Sequence, residues 1–378
     1  MMTRDRGRLS SSISYENIVC MSGMRQGTRH DEGSKVQMMD KEAPSPPTSV
    51  DVARRAGVSQ SAVSLVFGGK AAGRVGKRTQ EAILHAAHEL GYRPNSAART
   101  LRSGRSRLLV LAVPDVSNPY FAAVLQGAEQ AARPHGYSVM LASVRDEQDW
   151  QQVIVDALSS RSVDGFLFFS IYPPMEGVHT ALRGKAVVID ASSRELPSLQ
   201  LDIEAGVRAA LMHLLQLGHT KIAHLAAAVE AETFHLRHKA YLDVLQAEGL
   251  PVKAAYQGRA SFTIADACQA AHGILDRPDP PSAIVCDSDV LAVGVYKAAK
   301  ALRRTIPRDL SVVGFDDSVF ARILDPELTT VAIPTTVIGE QALLLLLAVL
   351  EEGHAPSQTI VPLELVIRAS TTGVCLTP

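Results

Sequence analysis

Two hydrophobic periods divide this chain. Between Thr48 and Leu90 apolar residues recur at helical spacing. Val52, Ala53 and Ala56 fall at spacings of one, three and four and share a face. Thr48 stands at a cap position, and Asp51 in the first turn favours the positive end of the helix dipole. Gly57 supplies a turn, where a positive φ costs it little. Ser59 caps a second helix whose Val63 and Val66 point toward Val52 and Ala56, leaving Gln60, Ser61, Ser64 and Leu65 on the outer face. A third helix is predicted over Val75 to Leu90, with Val75, Ile83, Ala86, Ala87 and Leu90 as its buried side. An inner helix that braces an outer one carrying polar, base-reaching side chains is the helix-turn-helix arrangement. An ordinary helical hairpin in a core would use the same apolar residues.

From Arg107 the texture changes. Leu108 to Val113 is a continuous apolar run bounded by Pro114, the pattern of a strand buried on both faces. Further strands are predicted at Tyr137 to Ser143, Gly165 to Phe169, Ala186 to Ile189, Lys221 to Leu225, Ala283 to Cys286 and Leu310 to Phe315. Helices fall between them at Tyr120 to Arg133, Glu147 to Ser160, Ile203 to Leu217, His235 to Glu248, Ala265 to Leu275 and Val290 to Leu302. Such alternation predicts a parallel sheet with helices on both faces. Roughly 270 residues of it are too many for one layer, so two similar halves are expected. The longest apolar run, Ala342 to Leu350, is far short of the roughly 20 residues that span a bilayer and reads as a buried helix. Residues 1–47 show no period and read as a disordered tail, with Met38 and Met39 as further possible starts. Asn95 to Leu101 is a linker with helical propensity and no large apolar face, too short to hold as a helix by itself.

Charge sharpens the division. Between Asp51 and Arg107 eleven basic residues face three acidic ones, a net +8 against −1 for the whole chain, which leaves −9 elsewhere. A small basic module on an acidic body suits a phosphate-backbone binder. Cys20, Cys268, Cys286 and Cys375 have no metal-site or redox spacing, so free thiols in a reducing cytosol are expected. No charged start precedes an apolar run near the N-terminus, so no secretory signal is read.

In open parallel sheets, ligands bind beyond the carboxyl ends of strands. The residues there are Asp115, Ser117, Asn118, Tyr120 and Phe121 after the first strand, then Asp190, then Asp287, Ser288 and Asp289, and finally Asp316 and Asp317. Arg237 is placed at the opening of the helix after the Leu225 loop. Asp190, Arg237 and Asp316 can pair with adjacent hydroxyls, and Tyr120, Phe121 and Phe262 can stack on a ring. Competing readings make Asp289 a helix N-cap, Asp317 a solvated or capping carboxylate, Phe121 plain core, and Arg237 with Asp316 a cross-cleft salt bridge.

The motifs Asp51-Val52-Ala53, Ala56-Gly57-Val58-Ser59, Val63-Ser64, Leu90-Gly91-Tyr92, Pro94-Asn95 and Ala98-Arg99-Thr100-Leu101, in this order and spacing, resemble the LacI/GalR family of bacterial transcription regulators. The resemblance runs on to Arg368-Ala369-Ser370-Thr371. It implies an all-α helix-turn-helix headpiece followed by a periplasmic-binding-protein-like α/β core of two Rossmann-like subdomains. By it the headpiece is 48–94, a hinge helix or linker 95–106, and the effector-binding and dimerisation domain 107–373. The first subdomain would hold about 107–202 and 335–362, the second about 203–334 and 363–373.

The resemblance also implies roles. DNA contacts fall on Thr48, Ser59, Gln60, Ser61, Ser64 and Leu65, and on Asn95, Ala98, Arg99 and Leu101, the last wedged into the minor groove. Positions matching Asp190, Ser288, Arg237 and Asp316 line the family's effector pocket. The implied protein is a homodimeric, cytoplasmic repressor on a near-palindromic operator, controlled by a small molecule, without cofactor or metal.

There are departures. Ala240 replaces the glycine of the family's Arg-x-x-Gly-aromatic motif, and Gly68 to Arg74 is a longer, glycine-rich connection whose Lys70 and Arg74 could reach phosphates. The loop Ala226 to Phe234 offers Glu230 and Glu232 but lacks the second arginine of purine-binding members, which favours a sugar or another polyhydroxyl compound. A nucleoside-responsive regulator and a solute-binding receptor without a DNA role are the alternatives. An enzyme finds little support: no phosphate-loop glycine motif and no Gly-x-Ser-x-Gly elbow occur, and His235 and His238 read as surface residues.

Overall fold

The computed structural model describes residues 47–93, 100, 104–144, 150–169 and 181–374. The tail 1–46 and the hinge positions Asn95, Ala98, Arg99 and Leu101 lie outside the described residues. Two compact units divide the chain after Arg93.

The first unit holds three helices, α1 (Ser49–Ala56), α2 (Gln60–Phe67) and α3 (Lys77–Leu90). Thr48 and Asp51 form a full capping box. The Thr48 Oγ1 accepts from the Asp51 amide at 3.4 Å, and the Thr48 amide donates to Asp51 Oδ2 at 2.9 Å. The Thr48 hydroxyl, donating to Asp51 Oδ2 at 2.6 Å, then the Thr48 amide, with Arg54 nearby, hold the Asp51 carboxyl below its ordinary pKa. Gly57 adopts φ 66° at the turn, as expected there, and Ser59 caps α2. Val52, Ala53, Val63, Ile83, Ala86 and Ala87 make the core. Helix α3 begins at Lys77 behind an extended Gly76, so Val75 precedes it and is only half-buried. We expect Thr48→Ala to destabilise α1 by about 1 kcal/mol. Faster amide exchange at Val52 and Ala53 would report it; unchanged exchange would show that the box is dispensable.

The second unit contains two six-stranded sheets. The first is built from β1 (Leu108–Val113), β2 (Ser138–Ser143), β3 (Gly165–Phe169), β4 (Ala186–Ile189), β5 (Ser198–Leu201) and β11 (Gln358–Val361), in the order β11-β5-β4-β3-β1-β2, all parallel. The second is built from β6 (Ile222–Ala227), β7 (Gln257–Ala260), β8 (Ala283–Cys286), β9 (Ser311–Asp316), β10 (Thr329–Ala332) and β12 (Glu364–Val366), in the order β12-β10-β9-β8-β6-β7. Only β12 runs antiparallel there. In each sheet the strand order reverses beside the first strand of that half, β1 or β6, which places a ligand crevice at the carboxyl ends of β1 and β3 and of β6 and β8.

Helices cover the faces: α4 (Pro119–Ala132), α5 (Trp150–Ser159), α6 (Ile203–Gln216), α7 (Glu232–Ala247), α8 (Ile264–Leu275), α9 (Asp289–Ala301), the short α10 (Val319–Ile323) and α11 (Thr335–Glu352). The apolar run Ala342 to Leu350 lies within α11, whose Leu343, Leu346 and Leu347 are buried. Helices α4 and α11 pack backbone to backbone. A Cβ on Gly127 would collide with the Thr336 carbonyl, and one on Gly339 with that of Val124. The chain crosses between the halves three times, from β5 to α6, from β10 to α11, and from β11 to β12.

Candidate functional site

Two surfaces carry the candidate chemistry. On the headpiece, Ser59, Gln60 and Ser61 are exposed at the start of α2, while Ser64 and Leu65 are half-buried a turn later. The Gln60 amide nitrogen donates to Ser49 Oγ at 3.0 Å, so the side chain is held by the inner helix. Ser59 accepts from the Ala62 amide at 3.3 Å, and Thr48 is committed to its capping box; both serve helix starts.

In the core, loops beyond the strand ends of both sheets enclose a cavity of about 800 Å³. Tyr120, Phe121, Asp190, Arg237, Phe262 and Asp316 all line it. Ser288 does not: it caps α9 and donates to Asp316 Oδ2 at 2.7 Å, so it orients a wall residue from behind. Phe169, Thr233, Phe234 and Phe320 line the cavity as well, and nothing in their local sequence marked them. Across the cleft mouth Glu232 accepts from the Ser192 amide at 3.0 Å and from its hydroxyl at 2.8 Å, tying the two halves together.

The wall carboxylates sit on strained backbone. Asp190 directly follows β4 with φ 58°, and Asp316 ends β9 with φ 119°, regions that residues other than glycine rarely adopt. Burial pushes the Asp190 carboxyl up to about 7, against the pull of Arg237 and Thr233. Burial, then the charge of Asp289, pushes Asp316 up to about 7, again with Arg237 pulling back. The Tyr120 hydroxyl is driven well above its ordinary value by burial and by both carboxylates. That hydroxyl and Arg237 Nε are buried without a hydrogen-bond partner. Unpartnered buried polar atoms around a cavity mark where a ligand's donors and acceptors belong.

Arg237 is 4 % exposed and lies in the second turn of α7, which starts at Glu232, so it does not open the helix. Its guanidinium lies 3.8 Å over the Phe315 ring and 5.0 Å over Phe234. One Nη1 hydrogen is donated to the Asp287 carbonyl. No direct ion pair joins Arg237 to Asp316, so the cross-cleft salt bridge is not formed.

Other expectations need correction. Asp289 follows the cap residue Ser288, and its buried carboxylate accepts from Thr330 Oγ1 and from the Ser318 amide, each at 2.7 Å. Asp317 is no solvated carboxylate, for it pairs with Arg368 at 2.6 Å. His235 is exposed, but His238 is half-buried against His224. Phe121 is 7 % exposed and serves both core and cavity wall. Among the described residues, no group of three His, Cys, Asp or Glu side chains is placed to hold a metal ion, and no helix is long and apolar enough to cross a membrane.

A helical headpiece with an exposed polar helix face, followed by a two-sheet α/β core with a cleft between its halves, defines the class of one-chain, ligand-sensing DNA-binding regulators. Residues 49–95 match the family described as bacterial regulatory proteins, lacI family, and residues 211–371 match the periplasmic binding protein-like domain. The chain is 32 % identical to the HTH-type transcriptional repressor CytR of Escherichia coli strain K12 over 86 % of its length and 96 % of that protein's. The lac repressor dimer bound to operator and the anti-inducer ONPF superposes with a TM-score of 0.78 at 26 % identity, covering 87 % of this chain and 100 % of that one. The transcriptional regulator CelR in complex with cellobiose gives 0.64 at 27 % identity, covering 86 % and 99 %. This chain belongs to the lacI family and is a DNA-binding transcriptional regulator with an effector-binding core.

Proposed function

We propose that this protein is a cytoplasmic, homodimeric repressor that binds a near-palindromic operator and is controlled by a sugar or related polyhydroxyl compound held in the cleft. It acts by binding and not by turnover. The observation that carries the effector reading is the cavity of about 800 Å³ with Tyr120 OH and Arg237 Nε unpartnered in its wall. Asp190 and Asp316 supply acceptors for neighbouring hydroxyls, and Tyr120, Phe121 and Phe262 supply apolar faces. The volume is generous for a monosaccharide and suits a disaccharide, and the similar regulator CelR forms a complex with cellobiose. A ligand bridging both halves stabilises the closed cleft by its differential affinity for the closed and open forms.

Calorimetry with cellobiose, ribose and cytidine, each followed by operator titration, tests the reading. Binding of a sugar that changes operator affinity supports it. Cytidine as the sole responder would replace the sugar by a nucleoside, and turnover of any of the three would make the protein an enzyme.

For DNA, two recognition helices in successive major grooves read a palindrome. Gln60 is the foremost candidate reader, since an amide side chain can pair with adenine. Gln60→Ala is expected to lower the preference for operator by about 1–2 kcal/mol while leaving binding to random DNA and its salt dependence intact. Equal loss on both DNAs would reassign Gln60 to the phosphate backbone.

A further inference from the structure

A histidine buried in an apolar strand must have both ring nitrogens partnered. His224, in β6, is 2 % exposed. Its Nε2 stands 2.8 Å from Asp287 Oδ1, and its Nδ1 stands 3.2 Å from His238 Nδ1. The two imidazole planes lie within 17° and their centroids are 5.4 Å apart. With the facing nitrogens only 3.2 Å apart, the rings meet edge to edge in nearly one plane, which is the geometry of an N–H···N bond and not of a face stack.

Asp287, also 2 % exposed, is held at three atoms. Oδ1 contacts His224, Oδ2 accepts from the Ala227 amide at 2.8 Å, and the carbonyl oxygen accepts from Arg237 Nη1. Arg237 and His238 are consecutive on α7. The contacts therefore close a ring, from Arg237 to Asp287, to His224, to His238, and back along the helix. A second cavity of about 330 Å³, walled by His224, His235, His238 and Arg259, shares Val229 and Phe234 with the larger one.

We propose that His224 and His238 are positioning residues for Arg237: they share a proton across their facing Nδ1 atoms and fix Asp287, whose carbonyl holds the guanidinium in place over Phe315. The proposal rests on reading Arg237 as the effector clamp.

Proton bookkeeping gives it consequences. Burial works against an ionised Asp287, but the charge and hydrogen bond of His224, with Arg237, hold its carboxyl below the ordinary value. An ionised Asp287 requires a proton on His224 Nε2. In the neutral pair, His238 Nδ1 then donates to His224 Nδ1. One added proton leaves the bond intact, because either ring can donate across it. A second would set two N–H groups against each other. Burial lowers the His238 pKa first, then the charges of His224, Arg259 and His235, with Asp287 pulling the other way. Glu230 engages Arg259 and His235 at 2.7 and 3.0 Å, and the Tyr241 ring lies against His224 with centroids 4.9 Å apart. His238 thus takes up its proton below the ordinary histidine value of about 6.5. That proton places a cation beside Asp287 that competes with Arg237.

Nitrogen NMR of the full chain, following the histidine ring nitrogens and the Arg237 Nε–H signal between pH 8 and pH 5, tests this. The expected result is one shared protonation step for His224 and His238, with the Arg237 signal shifting at the same midpoint. In His238→Gln that step disappears, and any shift near pH 7 that survives belongs to Asp190 and Asp316. His224→Gln places an amide where Nε2 was and keeps Asp287 fixed, so the Arg237 signal at pH 8 stays in place. His224→Asn reaches the Nδ1 position but not Asp287, so the signal moves. Independent titration of the two rings overturns the proposal. So does an Arg237 signal indifferent to His224→Asn in a protein that melts as wild type does. If His224→Asn fails to fold, the wild-type titration and His224→Gln still decide. A separate cellobiose titration of Arg237→Ala tests the clamp itself. Unchanged affinity there would sink the effector reading while leaving the ring measurements standing.

Discussion

Replacing Arg237 with alanine should abolish the response to the effector while leaving operator affinity near wild type. Among the described residues the guanidinium is the one cation in a cavity wall that also presents Asp190 and Asp316, and its Nε is buried without a hydrogen-bond partner. A polyhydroxyl ligand bridging the halves loses its cationic donor, and the two carboxylates lose the charge that offsets their burial. Typical couplings of about 1–3 kcal/mol correspond to a 5- to 150-fold change in operator affinity, and that whole factor should vanish. Asp316→Ala should behave alike, since Asp316 ends the neighbouring strand β9 in the same wall. The measurement is operator titration with and without the sugar. A variant that loses operator binding yet takes up sugar normally would assign these residues to coupling or fold, not to the pocket.

The second large effect is a gain in stability. Asp190 and Asp316 carry folded pKa values of about 7 against an ordinary 3.8. Between those values the folded protein binds protons that the unfolded chain has released. Stability therefore falls as the pH rises from about 4 to about 7 and is level above that. The formal ceiling is about 4 kcal/mol for each group at 1.36 kcal/mol per pKa unit. Both residues line an open cavity, and part of the rise at Asp316 comes from the charges of Asp289 and Asp190, so about 2–3 kcal/mol is expected for either change. Asp190→Asn and Asp316→Asn should raise the melting temperature at pH 8 and converge on wild type near pH 4. Asparagine tolerates φ 58° at position 190 as aspartate does, and at position 316 it replaces a residue of the same shape on the same backbone, so wild type and variant share the strain. A sugar that hydrogen-bonds the ionised carboxylates should also release protons when it binds near pH 6.5, seen as a dependence of the binding heat on buffer. No stability difference at pH 8 would mean that both carboxylates are already solvated in the free protein.

The legible parts of the sequence were those where one local signal sufficed. The headpiece showed itself through Thr48, Gly57 and Ser59, each a cap or turn residue with a single favoured place. The apolar strands β1, β3, β4 and β8 stood out as continuous runs buried along almost their whole length. Asp190 and Asp316 followed from their place at strand ends. Strands β5, β7 and β10 did not show, for reasons of composition. β7 is an edge strand reading Gln-Gly-Arg-Ala, with little to bury, while β5 and β10 are four-residue segments mixing Ser, Gln or Thr among their apolar positions. Phe169, Phe234 and Phe320 reach the cavity from the end of β3, the start of α7 and the short α10, so only the fold unites them. His224 and Asp287 are 63 positions apart, and each alone resembles an ordinary polar residue beside an apolar run. Ser288 misled in the opposite way: the right neighbourhood did not make it a wall residue.

The triple crossing between the halves also bears on how the protein is made. The first sheet gains its edge strand, Gln358–Val361, only after every parallel strand of the second has been synthesised. At translation rates of roughly 5–20 residues per second, β5 waits on the order of ten seconds for its partner β11. Through that interval the nascent first half presents an open, largely apolar sheet edge and lacks helix α11, the cover for β3 and β4. The headpiece, complete within itself, can fold long before. The DNA-binding part is thus finished first, and the two sensing halves close almost together, once α11, β11 and β12 have been made.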